Sequence, residues 1–211
     1  YRYSVYKNIP TTNLKIPLIY TEREFTYNPI QPLDNICLHG YFQSEKYFKD
    51  YKDEVKNLFN FDFETKEKIT KKLDSIEKKV GIHLRLGDYL HKRHEGVFYN
   101  VDYPSYLEKA MSYFDSNHNF IIFSDDFKTL KKKIDLKKFL NMNNTNEVED
   151  LYCLTQCDDI IMSNSSFSWW GAWLGKKKKK IISPDRWFGH CVKKDYEDRF
   201  NKNWIKISTK D

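Results

Sequence analysis

The chain has 211 residues and a formal net charge of +6, with 40% hydrophobic and 31% charged residues. This composition excludes an intrinsically disordered chain, because the apolar side chains are numerous enough to offset the entropy lost on folding. No apolar run approaches the roughly eighteen residues of a membrane span, so we predict no transmembrane segment and a cytoplasmic location.

The N-terminal part of the sequence predicts irregular backbone followed by two helices. Residues 1–35 contain four of the six prolines and show no hydrophobic periodicity, which is typical of extended or irregular structure. From Glu45 to about Asn60, apolar residues recur at helical spacing and predict an amphipathic helix. A second helix is predicted over 66–79, with Ile69 and Leu73 on its apolar side.

After residue 79 short apolar strands alternate with helices. The predicted strands are 79–86, 119–126, 159–164 and 180–184, with a weak strand near 137–142. The predicted helices are 103–114, 127–134, 147–157 and one that begins near Ser166. This alternation predicts a parallel sheet covered on both faces, hence a doubly wound α/β domain. Ligands of such domains bind at the carboxyl ends of the strands.

Polar residues stand at three of these strand ends and are expected to meet at one edge of the sheet. The first group is HLRLGD at 83–88, in which His83 and Arg85 lie two apart and share a face of the strand. Arg85 could grip two phosphate oxygens bidentately, or it could form a structural salt bridge. The residue pattern leaves both roles open.

The other two polar groups are SDD at 124–126 and SNSS at 163–166. Asp125 and Asp126 could bind a ribose or sugar hydroxyl, cap the next helix or hold a metal, and metal is the weakest of these because no further carboxylates accompany them. The serine segment could bind an anion at a helix N-terminus or simply cap the helix. Trp169, Trp170 and Trp173 follow it at spacings that favour core packing.

Several segments together resemble the α1,2-fucosyltransferases of glycosyltransferase family 11. They are HLRLGDY at 83–89, GYFQSEKYF at 40–48, SNSSFSWWGAWL at 163–174, WFGH at 187–190 and NWIKI at 203–207. The resemblance covers about residues 36–207. It implies a two-lobed fold of the GT-B type and inverting transfer of L-fucose from GDP-fucose to a hydroxyl of a galactose-containing glycan. It also implies that no metal or other cofactor is required, and we expect no nucleic-acid partner.

The resemblance also implies roles for individual residues. Arg85 would hold the β-phosphate, with His83 beside it, and Asp150 would bind the guanine edge. The resemblance does not name the base that accepts the proton of the attacking hydroxyl; among the residues that follow Arg85, we favour Glu95 over Asp88, because Asp88 could instead be held by Arg85. The remaining residues implied to bind GDP-fucose are Asp125 and Asp126, near the ribose or the fucose, and Asn164, Ser165 and Ser166, near the phosphates.

Two departures from the family pattern qualify this interpretation. Leu86 stands where the family has a second arginine, and the glycine-rich segment with which family members begin is not found. We therefore expect residues 1–78 to be a remnant of an N-terminal, acceptor-side lobe with linking helices, and residues 79–211 to be a Rossmann-like lobe that binds the GDP-sugar.

Two alternative functions remain open at this point. The first is a truncated or inactive GDP-sugar-binding domain, which the two departures favour. The second is a basic polyanion-binding protein, for which the lysine runs at 131–133 and 176–180 are the evidence. Binding by such a protein would weaken steeply with salt and ignore GDP.

Overall fold

The structure is a computed structural model that describes residues 9, 13, 18–175 and 179–209. The chain forms two compact units. Unit 1 comprises Tyr1–Asn60 and Lys193–Lys202, and unit 2 comprises Phe61–Val192 and Asn203–Asp211. Of the lysine run at 176–180, residues 176–178 lie outside the described residues.

Unit 1 contains a short parallel strand pair and a short helix. Strands β1 (Leu18–Thr21) and β2 (Ile36–His39) pair in parallel, with Leu18 opposite Ile36. The predicted long helix from residue 45 is wrong in its first half. Two 3-10 turns (Glu45–Tyr47 and Lys49–Tyr51) precede helix α1 (Lys52–Leu58). Phe48 and Tyr51, with φ of −142° and −118°, interrupt the helical backbone at these turns.

Unit 2 is an α/β domain in which helices and strands alternate. Its helices are α2 (Phe63–Leu73), α3 (Tyr103–Met111), α4 (Phe127–Leu130), α5 (Glu147–Gln156) and α6 (Ser166–Leu174). Its strands are β3 (Lys79–Leu84), β4 (Asn119–Ser124), β5 (Asp159–Ile161), β6 (Ile181–Pro184) and β7 (Ile205–Ile207). The strands form one parallel sheet in the order β4-β3-β5-β6-β7. This sheet confirms the predicted α/β class and is consistent with a Rossmann-like fold.

Hydrophobic clusters cover both faces of this sheet. Neighbouring residues of β4 separate to opposite faces, as the pleat requires. Ile122 packs with Leu84 and with Tyr106 of α3, whereas Ile121 packs with Leu154 of α5 and Ile69 of α2. Parallel sheets are buried on both faces in this way, which explains the near-continuous apolar runs of their sequences.

Helix α2 therefore belongs to unit 2, although the sequence-based boundary at residue 78 placed it in the first domain. Lys68 of α2 forms an ion pair of 2.6 Å with the buried Glu149 of α5. The assignment of the preceding residues to an acceptor-side lobe stays a prediction. Among the described residues, no helix combines the length and apolarity needed to cross a membrane.

The strand order changes direction at β3, and this topology marks the position on the sheet at which a ligand is expected to bind. The next strand along the chain, β4, lies on one side of β3, and the chain then crosses to place β5 on the other side. Ligands of doubly wound sheets bind at the carboxyl ends of the two strands that flank such a switch point. Arg85 follows the end of β3, and residues 163–166 follow the end of β5.

Candidate functional site

Arg85 lies at the switch point in an ion pair with two carboxylates. Its Nη2 and Nε donate to Oδ1 of Asp88 at 2.7 and 3.1 Å, and its Nη1 lies 3.2 Å from Oδ2 of Asp125. Burial lowers the pKa of Arg85, but the charges of Asp125 and Asp88 outweigh burial and raise it. The side chain remains 30% exposed, so the guanidinium is oriented by its partners and still reaches solvent.

Asp125 also shapes the loop that carries Arg85. Its Oδ1 accepts the backbone N–H of Leu86 at 2.9 Å. Gly87 approaches the same carboxylate so closely that a Cβ there would lie 2.2 Å from Oδ2. Leu86, at the position of the family's second arginine, is 1% exposed in the hydrophobic core. Asp125 therefore stabilises the loop at Leu86 and Gly87. Its contact with a ribose or sugar stays a prediction.

His83 connects the ends of β3 and β5. Its side chain is buried, its Nδ1 lies 3.1 Å from Oγ of Ser163, and its ring packs 4.8 Å from that of Phe167. Burial and, secondarily, the charge of Arg85 lower the pKa of His83 to about 3. In the free protein the imidazole is therefore neutral at pH 7, and its contact with Ser163 connects the two strand ends.

The SNSS segment forms the entry to helix α6. Ser165 is the N-cap, and its Oγ accepts the N–H of Phe167 at 3.3 Å. Ser166 is the exposed first residue of the helix, and no acidic residue lies in the first turn. The positive end of the helix dipole therefore has no carboxylate of its own first turn beside it, which favours anion binding there.

Asn164 is buried and holds two loops through its amide. Its Nδ2 donates to the carbonyls of Tyr99 and Trp187 at 2.9 and 2.8 Å, while its Oδ1 has no hydrogen-bond partner among the described residues. The side chain is 1% exposed, which directs it into the protein rather than toward a phosphate. The side chain of Asn164 thus joins the serine segment to the loops at Tyr99 and Trp187.

Tyr89 connects Arg85 to the serine segment, a connection that the sequence reasoning missed. The centre of its ring lies 5.6 Å from Cζ of Arg85, and its hydroxyl donates to the carbonyl of Asn164 at 3.0 Å. Its presence in HLRLGDY was the available signal, since an aromatic residue just after a strand end can reach a neighbouring loop. The polar residues after β3 (83–88) and those after β5 (163–166) therefore lie at one edge of the sheet, as predicted.

The remaining sequence-predicted residues lie at other positions of unit 2. Asp126 caps α4, where its two carboxylate oxygens accept the N–H and the hydroxyl of Thr129, and these bonds lower its pKa. Asp150 in α5 accepts from Asn144 at 2.9 Å, and burial raises its pKa. Glu95 is exposed on a depression of about 340 Å³ lined by residues 89–92, 94–96, 98 and 100.

No cluster of three or more His, Cys, Asp or Glu side chains able to hold a metal ion occurs within residues 18–175 and 179–209. The predicted core role is confirmed for Trp169 and Trp173, which are buried with their rings 6.1 Å apart, whereas Trp170 is only partly buried. The switch point holds the guanidinium of Arg85 with its two carboxylate partners, the serine hydroxyls and the N-terminus of α6. Of these groups, the guanidinium and the helix N-terminus are suited to a diphosphate.

Comparison with known proteins identifies the family. The sequence profile of glycosyl transferase family 11 matches residues 22–208. The chain belongs to glycosyl transferase family 11. This match confirms the resemblance noted from the motifs, and it includes the ends of both β3 and β5.

Three relatives with named activities are similar to this chain. The O-antigen biosynthesis glycosyltransferase WbnK of Escherichia coli is 30% identical over 181 residues, 78% of this chain and 60% of that protein. An alpha-1,2-colitosyltransferase of Escherichia coli is 30% identical over 182 residues, 80% of this chain and 61% of its own length. Galactoside alpha-(1,2)-fucosyltransferase 1 of Saimiri boliviensis boliviensis is 30% identical over 144 residues, 61% of this chain and 38% of its own length. The chain thus spans about three fifths of the length of the two bacterial relatives.

Proposed function

We propose that this chain provides the donor-binding part of an inverting glycosyltransferase of the GT-B type, which moves L-fucose from GDP-fucose to a hydroxyl of a galactose-containing glycan. The observation that supports this most directly is the link through Tyr89 between Arg85, after β3, and the serine segment 163–166, after β5, at the switch point of a parallel sheet. The family match and the activities for which the relatives are named support the sugar-transfer chemistry.

Diphosphate binding would use charge and dipole together. The diphosphate would lie between the guanidinium of Arg85 and the N-terminus of α6, where Ser166 is exposed. Arg85 is already oriented by Asp88 and Asp125, so little side-chain entropy is lost when it meets the ligand. Asp150 is proposed to accept hydrogen bonds from the guanine edge, and Asp125 and Asp126 to lie near the ribose or fucose.

In the proposed reaction the acceptor oxygen attacks C1 of fucose while the bond between C1 and the β-phosphate oxygen breaks. GDP leaves with the electron pair of that bond, and Arg85 stabilises the negative charge that develops on its β-phosphate. The acceptor hydroxyl gives its proton to a base. We propose Glu95 for this role, because it is exposed, whereas Oδ1 of Asp88 already accepts two N–H groups of Arg85. No step requires a metal.

The identity of the transferred sugar is open to a direct test, since one relative is named as a colitosyltransferase. Colitose differs from fucose by lacking the 3-hydroxyl group. The protein should be offered both GDP-fucose and GDP-colitose with a lactose-type acceptor, and the products should be weighed by mass spectrometry. Transfer from GDP-fucose is the expected result, and exclusive transfer from GDP-colitose would correct the donor while leaving the reaction class intact.

GDP binding measured by isothermal titration calorimetry tests the proposed site. Arg85→Ala should weaken binding by roughly 10- to 100-fold, because it removes charge-assisted hydrogen bonds of about 1.5–3 kcal/mol. The matched control is Arg93→Ala, at an exposed position in the 3-10 turn Lys92–His94, which should bind GDP as the wild type does.

Three outcomes separate the candidate functions. GDP binding with sugar transfer supports the enzyme, and GDP binding without transfer to any galactose-containing acceptor supports a donor-binding domain alone. Failure of the wild type to bind GDP, with binding of polyanions that weakens steeply with salt, would support the basic polyanion binder instead.

A further inference from the structure

A column of stacked rings stands behind Arg85. The guanidinium lies over one side of the Tyr89 ring, and that ring stacks on Phe98 with centroids 3.8 Å apart and an interplanar angle of 1°. Phe98 in turn packs against Phe188 at 6.2 Å and 27°, and these two residues also form an antiparallel bridge. The column therefore joins the loop after β3 to two further loops of unit 2.

The hydroxyl of Tyr89 adds a directional contact to this stacking. It donates to the carbonyl of Asn164 at 3.0 Å. The amide of Asn164 holds the carbonyls of Tyr99 and Trp187, the chain neighbours of Phe98 and Phe188. One hydrogen-bond network and one ring stack thus connect the same loops, and Tyr89 is the residue that belongs to both.

We infer that Tyr89 is a positioning residue for the donor diphosphate: its ring holds the guanidinium of Arg85, and its hydroxyl fixes that guanidinium relative to the serine segment 163–166. The inference rests on the proposed function and assigns a role that the sugar-transfer chemistry does not itself require. Tyr89 acts through Arg85 and through the carbonyl of Asn164, without touching the reacting atoms.

The ion pairs of Arg85 do not by themselves fix its guanidinium relative to the serine segment 163–166. Asp88 belongs to the same loop as Arg85, and Asp125 follows β4, on the side of β3 away from β5. Both carboxylates therefore hold Arg85 on its own side of the switch point. Tyr89 provides the contact that crosses to the β5 side, and the distance between guanidinium and serine segment decides whether both can bind one diphosphate.

Tyr89→Phe is the sharpest variant, because it keeps the ring over Arg85 and removes only the hydroxyl. We expect GDP to bind about fivefold more weakly to Tyr89→Phe, the effect of one lost hydrogen bond. Tyr89→Leu, which also loses the contact between ring and cation, should weaken binding further. Tyr113→Phe, at an exposed position after α3, is the matched control and should bind as the wild type does.

A double-mutant cycle in GDP affinity distinguishes positioning from general stability. In the Arg85→Ala background, Tyr89→Phe should change the dissociation constant less than twofold, because the group that it positions is gone. Thermal melting of each variant monitors folding. The same fivefold loss in both backgrounds, or no loss in the presence of Arg85, would overturn the inference while leaving the proposed function intact. A wild-type protein that fails to bind GDP would remove both.

Discussion

Lowering the pH from 7 to 5 tests the state of the buried histidine at the switch point. His83 is 4% exposed and contacts the hydroxyl of Ser163 and the ring of Phe167, and the positive charge of Arg85 acts on it. Burial first and Arg85 second lower its pKa from 6.5 to about 3. The folded protein therefore keeps this imidazole neutral at a pH at which the unfolded chain protonates it.

The sign and size of the effect follow from proton linkage. Between pH 6.5 and about 3 the unfolded chain binds a proton that the folded protein excludes, so stability is fully present above the unfolded pKa and falls as the pH falls. Each pH unit in this window costs up to about 1.4 kcal/mol. From pH 7 to pH 5 the contribution of His83 to the free energy of unfolding should fall by about 2 kcal/mol.

Urea unfolding at pH 7, 6 and 5 measures this loss, with His83→Gln as the variant and His91→Gln, at an exposed position, as the matched control. The His83→Gln protein should lose about 2 kcal/mol less stability over the range than the wild type, and His91→Gln should keep the wild-type pH dependence. NMR of the wild-type imidazole at pH 5 gives a second test that needs no variant. Parallel pH profiles for all three proteins, or a protonated ring at pH 5, would refute the argument.

Two substitutions test the loops that carry the site. Gly87→Ala would place a Cβ 2.2 Å from Oδ2 of Asp125 and displace that carboxylate from the Leu86 N–H, so we expect a loss of about 1–2 kcal/mol in the free energy of unfolding. An unchanged urea midpoint would show that the loop adapts without cost. Asn164→Ala removes the amide hydrogen bonds to the carbonyls of Tyr99 and Trp187, so the free energy of unfolding should fall by about 2–4 kcal/mol, measured by thermal melting. A loss well below 1 kcal/mol would contradict the structural role of Asn164.

Much of unit 2 could be predicted because its signals are local. Short apolar runs bounded by polar residues predicted β3, β4, β5 and β6, and the tryptophan spacing predicted a buried α6. Strand β7 was not predicted, because three residues at the edge of a sheet carry little pattern of their own. The helix predicted from residue 45 broke into turns, since apolar spacing alone does not reveal the backbone angles of Phe48 and Tyr51.

The sequence by itself determined the family, the parallel α/β class and the position of Arg85 and the serine segment at the same edge of the sheet, because parallel strands bring their carboxyl ends to one edge. Only the tertiary structure decided what each side chain contacts there. Arg85 lies between Asp88 and Asp125, Asn164 points into the protein, and Tyr89 crosses from one strand end to the other. Most of these contacts join residues distant in the chain, so their energies depend on packing geometry that no local pattern of residues records.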